Sequence, residues 1–348
     1  MSWLTAPLHP LNSQARAAAQ ARQGTLTKPA GSLGMLEEIA IRMAAVQGLE
    51  IPKADKSQVV VFAADHGICA QGVSAFPQVV TAEMVRNFSR GGAAVCVLSR
   101  QQGAALEVVN VGTVSALENL PGVVDARISN GSADFSQGPA LSAPQLAAAL
   151  QVGKEAAERA AAKGAQIFVA GEMGIGNTSS AAALACVLLN CPVAEMAGRG
   201  TGRNDAGLQH KIHVLENALK LHQLHAASEP MAIMQALGGL EIAAIAGAYI
   251  RAAQLGLVVL VDGFITTAAA LWANAVQPQL KEYLFFAHQS AEGAHGKMLS
   301  ALNGRPLLQL DMRLGEGSGA ALALSILQNA CALHADMATF ASAGVSEQ

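Results

Sequence analysis

Residues 58–65, Gln-Val-Val-Val-Phe-Ala-Ala-Asp, decide the fold. Six apolar side chains stand in a row between Gln58 and Asp65, with no alternation of the kind a strand with one wet face would show. Such a run suits a strand covered on both faces, as in a parallel sheet. Four more follow the same rule: LEVVNVG at 106–112, AQIFVAGE at 165–172, LVVLVDG at 257–263 and LFFAHQ at 284–289. Between them lie Ala-rich stretches with helical periodicity, read as helices over Leu33–Gln47 (stopped by Gly48), Ala143–Lys163 (stopped by Gly164), Leu208–His225 and Ala320–Ala332. Short apolar strands alternating with helices predict an α/β fold, a doubly wound and mainly parallel sheet. No repeat and no long Pro/Ser linker divides the chain, and its first 50 and last 30 residues read as helices only. The expected organisation is a large α/β domain over 51–318, with a small helical subdomain from 1–50 plus 319–348.

Composition narrows the function. Hydrophobic residues are 52% of the 348 and charged ones 14%, which excludes disorder. The most apolar stretch, Leu257–Val276, is interrupted by Asp262, Gly263, Thr266 and Thr267. A spanning helix needs about 20 nearly unbroken apolar residues, so no membrane is expected. The first residues lack the basic start and apolar block of a secretory signal, which makes the cytoplasm the expected location. A net charge of −3 and an aromatic content of 4% argue against a nucleic-acid partner. Cys69, Cys96, Cys186, Cys191 and Cys331 form no CxxC pair, and buried free thiols are expected. His210/His213 and His222/His225 have metal-ligand spacing, but Leu208, Ile212, Leu215 and Leu219 set the apolar side of that helix, leaving the histidines on its wet side.

In open parallel sheets, ligands bind beyond the carboxyl ends of the strands. Asp65-His66-Gly67, Gly112, Gly171-Glu172, Asp262-Gly263 and His288-Gln289-Ser290 all fall there. GEMGIGNTSSAAALA, from Gly171, leaves a strand, turns through Gly174 and Gly176 and enters a helix whose first N–H groups suit a phosphate; a plain tight turn fits as well. AGRGTGRNDAGLQHK, from Ala197, joins flexible glycines to Lys211, again phosphate-binding hardware or an ordinary loop. In LGEGSGAALAL, Glu316 lies between two glycines ahead of an apolar helix. It is either a desolvated base with a raised pKa or an acid placed to complement the helix dipole. Phe76, Pro77 and Met84 line an apolar pocket or the core, and Asp65 and His66 brace a turn or act as a catalytic pair.

Taken together, FAADHGICAQGVS, GSLGMLEEIA, GEMGIGNTSSAAAL, GRGTGRNDAGLQHK, LVDGFITTAAAL, HQSAEGAH and RLGEGSGAALAL resemble the nicotinate-nucleotide:dimethylbenzimidazole phosphoribosyltransferase family over nearly the whole chain. The resemblance implies a Rossmann-like α/β domain with a small helical domain, acting as a homodimer. It implies transfer of phosphoribose from nicotinate mononucleotide to 5,6-dimethylbenzimidazole, with no metal or organic cofactor. The family's catalytic glutamate falls on Glu316 and its second acidic position on Glu172. Phe76, Met84, Met173 and Leu314 fall on its benzimidazole pocket, and Gly174, Gly176, Gly202, Lys211 and Ser290 on its nucleotide and phosphate contacts. Arg203 is given no role. Two other readings compete: a nicotinamide-dependent oxidoreductase, for which Glu195 is a poor ribose-reading acid, and a non-catalytic module that binds nicotinate mononucleotide.

Overall fold

The computed structural model describes residues 1–198, 204–292 and 294–346. Helices α1 (Ser13–Thr25) and α2 (Met35–Gln47) precede β1 (Ser57–Ala64); α3 (Val79–Ser89) and α4 (Ala94–Gln101) lead into β2 (Ala105–Gly112) and β3 (Val123–Asp125). Then come α5 (Ala143–Ala162), β4 (Ile167–Met173), α6 (Asn177–Leu189), α7 (Val193–Met196), α8 (Asp205–His222), α9 (Pro230–Leu237) and α10 (Leu240–Gln254). The chain closes with β5 (Val258–Val261), α11 (Phe264–Val276), β6 (Leu284–His288), α12 (His295–Ala301), β7 (Pro306–Leu308), α13 (Ser318–Asp336) and α14 (Phe340–Ala343).

The seven strands form one sheet in the order β3-β2-β1-β4-β5-β6-β7, and every pairing is parallel. The five apolar runs are its five central strands, and every residue of β1 is buried. The two edge strands escape sequence reading: β3 and β7 are three residues each and only half-buried, too short for a periodic signal. Strand order reverses between β1 and β4, which puts the switch point of the sheet there.

Helix α10 packs across β1, β2, β4 and β5, with α5 laid over it. Small residues allow that approach: a Cβ on Gly153 would run into the Ala244 carbonyl, and one on Gly247 into the Leu150 backbone. Helix α13 crosses β4, β6 and β7, with α2 and α4 beside it. The terminal segments meet there. Leu26 bridges Thr339, Arg22 donates to the carbonyls of His334 and Ala335, and His334 Nε2 contacts the Glu50 carbonyl at 3.0 Å. Leu4, Ile39, Met43 and Val46 belong to the same apolar core as the sheet.

Leu257–Val276 folds as β5 plus α11, and no helix among the described residues is long and apolar enough to cross a membrane. All five cysteines are free thiols. Cys96, Cys186 and Cys331 are buried within helices, whereas Cys69, in a single 3-10 turn, and Cys191, just after α6, are half-buried.

Candidate active site

A cleft of about 690 Å³, including its open mouth, lies over the carboxyl ends of β4, β5 and β6 and under the loop that enters α13. Its size is that of a small-molecule site. Glu172 and Met173 close β4, Gly174 to Thr178 turn into α6, Asp262 to Thr266 lead from β5 into α11, and Arg313 to Glu316 form the opposite wall.

Glu316 is held by backbone geometry. It has φ +66°, between Gly315 at +85° and Gly317 at +83°, so three successive left-handed residues make the turn into α13. Two of the three are glycine, where that conformation costs little; the carboxyl-bearing residue takes it against its own preference. The turn lies against Gly171, where an added Cβ would collide with the Glu316 carbonyl. Asp262 fixes the far side by accepting from the Gly317 N–H at 3.2 Å and the Ala320 N–H at 2.7 Å, which caps α13. Glu316 is 6% exposed, and its Oε2 has no hydrogen-bond partner among the described residues. Burial pushes its carboxyl up to about 7; the Val95 N–H at the start of α4 opposes the shift and the Asp262 charge adds to it.

Glu172 lies beside that turn. Its Oε2 accepts a short hydrogen bond from Asn177, and its Oε1 takes a weak one from the Glu316 N–H at 3.4 Å. Burial pushes its carboxyl well above the ordinary range, and the charges of Glu241 and Asp262 add to the rise. Asp262 is itself raised by burial, against the pull of His288 and of the backbone N–H groups it accepts from. His288 Nε2 stands 3.9 Å from Asp262. Behind it, His295 Nδ1 accepts from the Ser290 N–H at 2.8 Å, so the ring carries its proton on Nε2, facing Thr267 Oγ1 at 2.9 Å. Burial, and secondarily His288, push His295 down to about 3.

The polar rim is at the start of α6. Gly176, at φ +97°, forms the turn before it, and Thr178 accepts from Lys211 Nζ at 2.9 Å. Lys211 projects inward from α8 and is 2% exposed. Ser290 at the end of β6 also lines the cleft.

Of the residues expected from sequence, Glu172, Glu316, Met173, Leu314, Gly174 and Ser290 line the cleft, and Gly176 and Lys211 stand directly behind the lining. Phe76 and Met84 are not among its lining residues: Phe76 is exposed on the segment before α3, and Met84 is half-buried within α3. Gly202 and Arg203 lie outside the described residues. Asp65 braces its turn, accepting from Thr81 Oγ1 at 2.6 Å and the Val114 N–H at 2.8 Å. His210, His213 and His225 lie exposed along α8 and just beyond it, and His222 is half-buried. His210 and His222 each reach a main-chain carbonyl, of Gln71 and Phe135. Among the described residues no cluster of His, Cys, Asp or Glu has the arrangement of a metal site. Sequence reasoning placed Asn177 and Thr178 at the start of a helix without giving their side chains a role, and it did not pick out Arg313. The N-terminal position in α6 was a usable signal for the first two, whereas nothing near Arg313 marks it as part of a wall.

A doubly wound parallel sheet with acids gathered over its carboxyl ends defines an α/β enzyme. The phosphoribosyltransferase family model matches residues 8–345, and the chain belongs to that family. It is 54% identical over 347 residues to the nicotinate-nucleotide–dimethylbenzimidazole phosphoribosyltransferase of Pseudomonas putida KT2440, covering 100% of this chain and 99% of that one. The enzyme of the same name from Pseudomonas aeruginosa UCBPP-PA14 is 53% identical over 348 residues, with the same coverage. Among solved structures, CobT from Thermus thermophilus superposes with a TM-score of 0.93 at 45% identity, over 96% of this chain and 100% of that one.

Proposed function

We propose that this chain transfers the phosphoribosyl group of nicotinate mononucleotide to a ring nitrogen of 5,6-dimethylbenzimidazole, giving α-ribazole 5'-phosphate and nicotinate in assembly of the cobalamin lower ligand. Relatives carrying that activity in their names, more than half identical over the full chain, support it. The oxidoreductase reading has no support: the glycine turn follows β4 rather than the first strand, and the relatives described above carry a transferase name.

The carrying observation is Glu316, a buried carboxylate at the cleft wall, one of whose oxygens has no hydrogen-bond partner among the described residues and which burial pushes up to about 7. A carboxylate so placed takes the benzimidazole N–H proton as the other ring nitrogen attacks the anomeric carbon, on the face opposite to departing nicotinate. The configuration inverts from β to α. A positioned base contributes about 10²- to 10⁴-fold. Glu172 faces the sugar, where it would steady the developing positive charge or stand in partly as base. Met173 and Leu314 supply the apolar contacts to the benzimidazole. Gly174, Gly176, Lys211 and Ser290, together with Gly202, hold the nucleotide and its phosphate.

Incubating the purified protein with nicotinate mononucleotide and dimethylbenzimidazole, and resolving products by chromatography, tests the reading. Absence of α-ribazole phosphate from well-folded protein defeats it. A cytoplasmic homodimer belongs to the same proposal. The exposed apolar side chains Phe76, Val79, Val97 and Val114 offer surface for a second copy, and sedimentation equilibrium checks it.

A further inference from the structure

Arg313 is the one permanent cation among the described residues that line the cleft, and the reaction above leaves it without a task. It shares that lining with four acids, Glu172, Asp262, Glu292 and Glu316. Among the described residues it forms no hydrogen bond and no ion pair, although a guanidinium carries five N–H donors. Its backbone, by contrast, is held. The Met312 carbonyl accepts from the Ala291 N–H at 3.0 Å and from the Ser290 hydroxyl at 3.3 Å, which ties the residue before Arg313 to the segment leaving β6. Three residues further on, the Glu316 turn is seated against Gly171 and Glu172 at the end of β4.

The wall therefore runs across the sheet, with Glu316 over β4 and Arg313 beside β6. Only β5 lies between those strands, and neighbouring strands are about 4.8 Å apart, so the two ends of the wall stand over strands whose axes are about 10 Å apart. Displacement with inversion uses such a span. With the benzimidazole at the Glu316 end, the departing pyridine ring lies on the other face of the anomeric carbon, toward β6. The polar groups lining the cleft there are His288, Ser290, Glu292 and Arg313. Of these, Arg313 has the planar fork that matches a carboxylate with two hydrogen bonds. The phosphate has its own cradle at the start of α6, where Lys211 reaches Thr178. What remains for Arg313 is the carboxylate on the pyridine ring.

We propose that Arg313 binds the ring carboxylate of the donor and makes the site select nicotinate mononucleotide over nicotinamide mononucleotide, a role that rests on the function proposed above. Arg313 then shares in the chemistry as well. In the bound donor the ring nitrogen is a pyridinium cation and the carboxylate an anion. The bond from that nitrogen to the anomeric carbon breaks and its electron pair goes to the nitrogen, while the benzimidazole nitrogen forms the new bond and Glu316 takes the benzimidazole proton. The leaving ring thus changes from a zwitterion into an anion. Arg313 holds it more firmly as it departs than before, and an attraction that grows along the reaction lowers the barrier.

The test compares nicotinate mononucleotide with nicotinamide mononucleotide, by calorimetric binding and by steady-state release of the pyridine. Arg313 is exposed, so its replacement leaves the core untouched. Wild type should discriminate between the donors. Arg313→Gln should cut kcat/KM for the nicotinate donor about 10- to 100-fold and leave that for the nicotinamide donor at or above wild type. Arg313→Lys keeps a cation without the fork and should recover part of the loss. Nicotinate, as a product inhibitor, should lose more affinity in the Gln variant than nicotinate mononucleotide does, because the free ring lacks the pyridinium charge. Equal losses with both donors, no discrimination by wild type, a Lys variant no better than the Gln one, or a change confined to KM for the benzimidazole would each overturn the assignment. If wild type binds neither mononucleotide, the parent function fails too; if it binds and converts them without regard to residue 313, this inference fails alone.

Discussion

Replacing Glu316 by Gln should abolish most turnover and, at the same time, stabilise the protein at alkaline pH. Folding raises this carboxyl from its ordinary 4.5 to about 7. Between those two pH values the native protein holds a proton that the unfolded chain has released, so the native state loses stability steadily as pH rises from 4.5 to 7 and regains none of it above. The difference of about 2.5 units corresponds to about 3 kcal/mol at pH 8, each unit being about 1.4 kcal/mol. Glutamine has the same shape and keeps the same left-handed backbone, so strain cancels in the comparison and only the charge is removed. With about 2.1 cal/mol/K of unfolding entropy per residue, 348 residues convert 3 kcal/mol into a melting shift of roughly 4 °C. Thermal melts of both proteins from about pH 4.5 to 8.5 read it. The curves should converge near pH 4.5 and part as pH rises, with the variant higher. A difference that does not change with pH, or a variant that melts below wild type at pH 8, would refute the desolvated-carboxylate account of Glu316.

The same titration governs catalysis with the opposite benefit: kcat/KM should rise with pH through about 7 as Glu316 loses its proton, and this limb should be missing from the residual activity of Glu316→Gln. Gly171→Ala should drive the Glu316 turn back, since its Cβ would stand far inside ordinary contact with that residue's carbonyl oxygen. A cost of about 1–3 kcal/mol in stability and about 10²-fold in kcat is expected by melting and steady-state kinetics; activity within about twofold of wild type would show the turn to be pliable. Lys211→Met fills the same buried slot without the charge beside Thr178, and should raise KM for the mononucleotide at least about tenfold while leaving KM for the benzimidazole unchanged.

The fold was legible because its central strands are buried on both faces. Continuous apolar runs marked β1, β2, β4, β5 and β6 to within two residues, and Gly48 and Gly164 marked helix ends. Strands β3 and β7 carry no such run, being short and at the edges where water reaches one side. Strand ends also placed Glu172, Asp262 and His288 on one side of the sheet from sequence alone, since the direction of a parallel strand fixes which end faces the crevice. What periodicity cannot supply is which loop returns over that crevice. Arg313 and Leu314 form a wall because β7 pairs outside β6, a long-range fact of topology. Phe76 and Met84 differ from Met173 for the same reason: all are apolar residues at or after the end of a strand, and only the path of the segment decides which ones meet the cleft.

Glu316 and Glu172 are next to each other in space and 144 residues apart in sequence, yet each requires the other's neighbourhood to be built as it is. Gly315 lacks a side chain because one would strike Glu172 Oε1, and Gly171 lacks one because it would strike the Glu316 backbone. Each acid is thus preceded by a glycine that makes room for the other, which brings two buried carboxyls into one dry corner. The corner costs stability at neutral pH, and a well-packed apolar replacement would remove that cost. Desolvation is what a base with a pKa near 7 needs: burial pushes the Glu316 carboxyl up to about 7, the Asp262 charge adds to the rise, and the destabilisation predicted above pH 7 is the same desolvation that gives Glu316 its basicity.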